Sequence, residues 1–93
     1  MDSPVKNVQI TITGRVQGVG FRYSAIQKAR EHQIKGYVKN NYDGSVFIEA
    51  EGEATDLDYF LLWCRRGPSA ARVDNVIQLP GSVKNYTSFS VKH

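Results

Sequence analysis

Apolar and polar residues alternate near the start of the chain, and the pattern then changes to helical spacing. From Val8 to Thr13 every second residue is apolar, which predicts a strand with one buried face. From Tyr23 to Gln33 there is no glycine or proline, and apolar residues recur at the spacing of a helix. Gly36 is the expected stop of that helix. The glycine-rich stretch from Gly14 to Phe21 is therefore predicted to be a loop between strand and helix.

The next segment has the pattern of a β-hairpin. Two strand-like runs flank Asp43 and Gly44, a pair of residues that favours tight turns. Val38 can share a buried face with Ile48 only if the loop has three residues, 42–44, because a two-residue loop would reverse their parity. The pattern therefore predicts a three-residue loop in which Gly44 takes the left-handed conformation of a bulge.

The second half of the chain predicts one further helix. Its apolar stripe at helical spacing consists of Leu57, Phe60, Leu61 and Cys64. Cys64 is therefore expected to pack in the core and not to act as a nucleophile. Thr55 and Asp58 resemble a capping box at the start of this helix, and Gly67 is expected to end it.

The order of the predicted elements defines the fold class. Extended segments are predicted from Arg72 to Leu79 and from Ser88 to Lys92, with a turn at Pro80-Gly81 between them. The order βαββαβ with a short extra C-terminal strand is that of an α+β, ferredoxin-like α/β sandwich. We expect two helices packed on one antiparallel sheet, with residues 1–93 forming a single domain.

Composition excludes some classes of protein. The chain has 93 residues, of which 41% are hydrophobic and 23% charged, as in ordinary globular domains. No apolar run is long enough to span a membrane, and no secretory signal pattern stands at the N-terminus. Cys64 is the only cysteine, so an internal disulfide is impossible. These observations predict a cytoplasmic protein, and its size favours a monomer.

The distribution of charge is more informative than the net charge of +3. The segment from Ser3 to Arg30 contains basic residues and no acidic one, whereas Asn40 to Cys64 contains acidic residues and no Lys or Arg. The first segment either forms one of two solvated surfaces of opposite sign or binds an anion. Glu49, Glu51 and Glu53 alternate along the predicted strand, and we interpret them as a solvated face and not as a metal site.

Arg22 stands where the first helix should begin. A cation in the first turn opposes the helix dipole and costs up to about 1 kcal/mol. The glycines Gly14, Gly18 and Gly20 match neither the dinucleotide fingerprint nor the Walker pattern, and alone they indicate no more than a tight turn. A bound oxyanion would make Arg22 favourable, because the loop amides, the helix dipole and the guanidinium would all attract it. The alternative is that Arg22 points into solvent or pairs with a distant carboxylate.

The segment "GRVQGVGFR", followed by "GYVKN", "DG" and "ARVDNV", resembles the acylphosphatase family from Val8 to about Val91. The resemblance implies the ferredoxin-like fold and hydrolysis of the carboxyl–phosphate bond of acyl phosphates without a metal or other cofactor. It implies that Arg22, which closes "GFR", and Asn40, which follows "VK", are catalytic. The backbone that would hold the phosphate consists of Gln17, Gly18, Val19, Gly20, Phe21 and Arg22. We call these six residues the phosphate loop.

The implied chemistry agrees with the residue types in the motifs. The leaving group of an acyl phosphate is a carboxylate, whose conjugate acid has a pKa of about 4, so its departure needs no general acid. Phosphoryl transfer depends mainly on positioning and electrostatic stabilisation, which Arg22 and backbone amides could supply. Asn40 would orient the attacking water through its amide. From the residues alone, however, Asn40 could merely cap the hairpin or bond to the glycine loop.

Two other functions remain as alternatives. RNA-recognition domains share this fold, and the sequence pI of about 9.2 is compatible with nucleic-acid binding. Against this, "GVGFR" precedes a helix here, whereas the similar motif of RNA-binding domains lies in a strand. The third possibility is a domain that binds acyl or carbamoyl phosphate, as in larger maturation proteins. We expect a small-molecule acyl phosphate and inorganic phosphate as ligands, with no nucleic acid and no membrane.

Overall fold

The computed structural model describes residues 4–93 and contains five strands and two helices in these residues. In chain order they are β1 Lys6–Arg15, α1 Phe21–Glu31, β2 Lys35–Asn40, β3 Val46–Gly52, α2 Ala54–Arg66, β4 Arg72–Gly81 and β5 Phe89–Val91. The strands form one sheet in the order β4-β1-β3-β2-β5. The predicted βαββαβ order with a short terminal strand is therefore confirmed.

The direction of β5 differs from the prediction. All other neighbouring strands are antiparallel, but β5 runs parallel to β2, with Val38 opposite Val91, so the sheet is mixed. β4 finishes at the end of the sheet where β2 begins. Residues 82–88, which we call the covering segment, then cross to the opposite edge, and the chain enters β5 in the direction of β2.

The core lies between the helices and one face of the sheet. The predicted apolar faces are confirmed: Ile10 and Ile12 of β1 and the predicted stripe of α2 are buried. Phe21, at the start of α1, packs against Trp63 of α2 with ring centroids 5.2 Å apart. The beginning of α1 is therefore anchored in the core. Within residues 4–93, no helix has the length and apolarity needed to cross a membrane.

The hairpin prediction is confirmed in detail. Val38 lies opposite Ile48, and both side chains are buried. The amide of Asn41 donates to the carbonyl of Ser45 at 2.9 Å, which closes a loop of residues 42–44. Gly44 has a φ of 94°, a conformation that a residue with a Cβ rarely adopts.

The predicted boundaries of α1 were wrong at both ends. The helix begins at Phe21 and ends at Glu31, where Gln33 takes a left-handed conformation with a φ of 58°. The amide of Ile34 then donates to the carbonyl of Ala29 at 2.7 Å, as in a Schellman motif. Gly36 does not end the helix, because it already lies in β2.

Two further local predictions were wrong. The capping residue of α2 is Glu53, which makes no side-chain cap, so Thr55 and Asp58 form no capping box. Pro80 and Gly81 do not form a turn, because they continue β4 opposite Val8 and Asn7 of β1. β4 is an edge strand, and an edge tolerates a residue that has no amide hydrogen to donate.

The alternating acidic residues are not all solvated, as we had expected. Glu49 and Glu51 are only 4% and 2% exposed, whereas Glu53 is exposed. The covering segment lies over them and contributes donors from Lys84 and Tyr86. Burial would by itself raise the pKa of both carboxyls. Hydrogen bonds from Asn7 and from the covering segment outweigh burial and hold each pKa below its ordinary value.

Candidate active site

The start of α1 has neither a side-chain cap nor an acidic residue. Gly20 is the capping residue with a φ of 77°, and it supplies no side chain to cap the helix. The first turn contains no acidic residue. Gly18 also has a positive φ, of 73°, and a Cβ at either glycine would meet open space. The backbone of this turn is therefore open to close approach by a ligand.

The amides of this turn lack acceptors. Within the described residues, no backbone N–H from Gln17 to Tyr23 donates a hydrogen bond to a protein acceptor. The first intrahelical bond is the one from the amide of Ser24 to the carbonyl of Gly20, at 3.0 Å. Donors that converge at a helix N-terminus favour a phosphate or another oxyanion.

Arg22 lies at the start of α1 and Asn40 at the end of β2, yet both line the same cavity. The cavity has a volume of about 320 Å³. Its lining residues are Val16, Gln17, Gly18, Gly20, Phe21, Arg22, Tyr23, Ile26, Asn40, Val91 and His93. None of these is acidic, and no ion pair among residues 4–93 includes Arg22. The half-buried guanidinium of Arg22 thus keeps its charge uncompensated by any carboxylate at this cavity.

Asn40 stands at the end of β2 with an unused acceptor. Its Oδ1 atom is buried and has no hydrogen-bond partner among the described residues. The two structural roles considered for Asn40, capping the hairpin and bonding to the glycine loop, are carried out by other side chains. Asn41 Nδ2 donates to Ser45 Oγ at 2.9 Å, and Asp43 accepts from the backbone and hydroxyl of Ser45. An orphaned buried carbonyl at a cavity wall can accept a hydrogen bond from a ligand or from water.

The side chain of Gln17 connects the phosphate loop to the hairpin. Its Nε2 atom donates to the backbone carbonyls of Asn41 and Ser45 at 2.8 and 2.9 Å. The phosphate loop is thereby held at a fixed distance from the strand end that carries Asn40. Sequence reasoning assigned only the backbone of Gln17 to the site, because nothing in the local pattern indicates which carbonyls its amide can reach.

Sequence reasoning also missed the remaining cavity wall. Ile26 lies one turn after Arg22 on α1, and Val91 is placed beside β2 by the parallel pairing of β5. Ile26 was recognisable as part of the apolar stripe of α1, and Val91 as an apolar position of the last predicted strand, but neither pattern indicated a place in the site. Val91 could be assigned only once the direction of β5 was known.

Cys64 and His32 do not line this cavity, whereas His93 does. Cys64 is completely buried, and burial raises the pKa of its thiol. His32 caps the C-terminal end of α1 and stacks on Tyr59, with ring centroids 5.7 Å apart. In the described part of the chain, no group of three or more His, Cys, Asp or Glu side chains is placed to hold a metal ion.

The fold is an α/β sandwich whose first helix begins at a glycine-rich turn, and among the described residues the amides of this turn have no protein acceptor. The model of the acylphosphatase family matches residues 8–91. The chain is 48% identical over 86 residues to the acylphosphatase of Archaeoglobus fulgidus, covering 92% of this chain and 97% of that one. This chain therefore belongs to the acylphosphatase family.

Solved structures agree with the family. An acylphosphatase from Bacillus subtilis superposes with a TM-score of 0.92 at 34% identity, covering 95% of this chain and 99% of that one. Full-length HypF, in its phosphate- and nucleotide-bound form, gives a TM-score of 0.94 at 33% identity. That match covers 100% of this chain but only 12% of HypF, so the same fold also occurs as a small part of a larger protein.

Proposed function

We propose that this protein hydrolyses the carboxyl–phosphate bond of acyl phosphates, without a metal ion, to a carboxylate and inorganic phosphate. The phosphoryl group is held by the phosphate loop, and the attacking water is positioned by Asn40. The relatives that match over almost their whole length are named acylphosphatases, which are hydrolases that act on acyl phosphates. The observation that carries the proposal is that Arg22 and Asn40 line one cavity together with the phosphate loop, whose amides have no protein acceptor among the described residues. The buried Oδ1 atom of Asn40 also lacks a hydrogen-bond partner there.

The phosphate loop stabilises negative charge on the phosphoryl oxygens. The loop amides donate hydrogen bonds to these oxygens, and the Arg22 guanidinium neutralises them. Because these donors are fixed by the helix start and by the packing of Phe21, little reorganisation is needed as charge develops in the transition state. The cost of Arg22 in the first helical turn is offset when the oxyanion is bound.

Asn40 orients the nucleophile. Its Oδ1 atom accepts a hydrogen bond from a water molecule whose lone pair faces the phosphorus. The new bond forms between water oxygen and phosphorus, and the bond from phosphorus to the acyl oxygen breaks. The electron pair leaves with the carboxylate, and the water proton passes to a phosphate oxygen. No protein base is required, so a break in the pH–rate profile that belongs to a protein side chain would contradict this step.

Nucleic-acid binding receives less support. The segment "GVGFR" lies in the loop and the first turn of α1 and not in a strand. On the face of the sheet that lies opposite the helices, the covering segment lies over Glu49 and Glu51, so this part of the face is not open to a nucleic-acid backbone. We further propose that the protein acts as a monomer in the cytoplasm, and sedimentation at micromolar concentration tests the oligomeric state.

The test is hydrolysis of acetyl phosphate in the presence of a chelator, measured as release of inorganic phosphate. Arg22→Ala should lower kcat/KM by a factor on the order of 10²–10³, because it removes a charged donor to the phosphoryl oxygens. Asn40→Ala should mainly lower kcat, because it leaves the phosphate donors in place. Matched controls are Arg30→Ala and Asn75→Ala, whose side chains are exposed and do not line the cavity. Full activity of either site variant, or loss of activity in chelator, would refute the assignment.

A further inference from the structure

One end of the candidate active-site cavity is polar, and the other end is apolar. The polar end consists of the phosphate loop and Asn40. The apolar end lies between α1 and β5 and contains Ile26 and Val91, next to the buried side chains of Val16 and Phe21. The exposed residues Tyr23 and His93 also line the cavity.

The geometry places this apolar wall next to the phosphate loop. Ile26 follows Arg22 by four residues on α1, so both side chains lie on the same helix face, about one turn of ~5.4 Å apart. Val91 lies opposite Val38, which precedes Asn40 by two residues on β2. The amide of Lys92 donates to the carbonyl of Val38 at 2.9 Å. Both apolar side chains are half-buried, and each therefore keeps surface that a ligand can cover.

The chemistry of the wall limits what can lie on it. None of the residues lining the cavity is acidic, so an acyl group with an ammonium substituent would find no ion-pair partner there. A polar acyl group that lies on Ile26 and Val91 would lose hydration and would gain no hydrogen bond from either side chain. An alkyl or aromatic acyl group, in contrast, gains from removing apolar surface from water.

We propose that Ile26 and Val91 form an acyl-binding wall that makes this protein prefer acyl phosphates with larger, uncharged apolar acyl groups. This inference rests on the proposed function, because the phosphoryl group must first be held by the phosphate loop. It assigns to β5 a role in substrate selection in addition to its role in the sheet.

The test compares acetyl, propionyl and butyryl phosphate. With partial burial, kcat/KM of the wild type should rise about two- to threefold per methylene, below the factor of about four for full burial. Ile26→Ala and Val91→Thr should each reduce the rise to less than about 1.5-fold per methylene, because they remove apolar surface or make it polar. Val91→Thr nearly preserves side-chain volume, so its effect does not depend on opening a cavity.

Two readouts separate the acyl-binding wall from the rest of the site. Competitive inhibition by inorganic phosphate should stay within about twofold of the wild type in both variants, because phosphate does not reach the wall. Leu62→Ala, a change at a 64% exposed side chain of α2, is the control and should retain the wild-type rise. Hydrolysis with no rise along the series, or with the same rise in both wall variants, would overturn the acyl-binding wall and leave the proposed function intact. Absence of hydrolysis of all three substrates would overturn both.

Discussion

Replacing Glu51 by glutamine should destabilise the protein strongly, although the two side chains have the same size. The two oxygens of the Glu51 carboxylate accept from different backbone donors. Oε2 accepts from the amide of Lys84 and from Nδ2 of Asn7 at 2.8 Å, and Oε1 accepts from the amide of Tyr86 at 3.0 Å. A glutamine has one carbonyl oxygen, so one of the two backbone donors would face an NH₂ group.

The expected change in the free energy of unfolding follows from this lost hydrogen-bond acceptor. A buried donor left without an acceptor costs about 1–3 kcal/mol, and the other bonds lose their charge assistance. We therefore expect Glu51→Gln to lower the free energy of unfolding by about 3 kcal/mol at pH 7. Glu53→Gln is the matched control, because Glu53 is exposed and makes no side-chain cap, and it should cost less than about 1 kcal/mol.

The destabilisation caused by Glu51→Gln should also depend on pH. The pKa of Glu51 is lowered in the folded protein, whereas its unfolded value is about 4.3. Its carboxylate therefore contributes its full stabilisation above about pH 4.3, and this contribution is lost as the pH falls through the lowered pKa. The difference between wild type and Glu51→Gln should accordingly shrink in acid. Urea unfolding from pH 3 to pH 7 measures it, and a difference that stays constant with pH, or an equal loss in Glu53→Gln, would refute the reasoning.

Two further predictions concern the site and the core. Gln17→Ala should lower kcat about tenfold, because the phosphate loop and Asn40 lose the two hydrogen bonds that fix their spacing. The exposed Gln27→Ala is its control, and unchanged kinetics for Gln17→Ala would show that the spacing does not matter. Cys64 should react with a thiol reagent only at the rate of unfolding, because it is completely buried and burial raises the pKa of its thiol. Fast modification in native buffer, on the timescale of an exposed thiol, would contradict this burial.

Local patterns were sufficient for much of the fold. The parity of Val38 and Ile48 determined the length of the hairpin loop, because a strand has a period of two and a shift of one residue would expose its apolar face. The stripe of α2 was equally informative, since its spacing already defined one buried side of a helix. Arg22 was recognisable as a candidate because it breaks the rule for charges at a helix start.

Other features depended on which segments come together in space. Alternation predicted that Glu49 and Glu51 share a face, but it could not reveal that residues 82–88 fold over that face and bury both carboxylates. Parity placed Asn40 on the apolar face near a strand end, but only the resemblance to the family indicated a catalytic role. Asn40 meets Arg22 because β1 and β2, though separated by β3, run in the same direction, so that their C-terminal ends lie at the same end of the sheet.

The sequence by itself determined the elements, most of their buried faces and the unusual arginine, because each depends on residues a few positions apart. Only the tertiary structure decided what surrounds these elements. Residues of the phosphate loop, Asn40, and the apolar side chains of Ile26 and Val91 line one cavity because segments distant in the chain come into contact. Such contacts depend on strand order and direction, which periodicity does not encode.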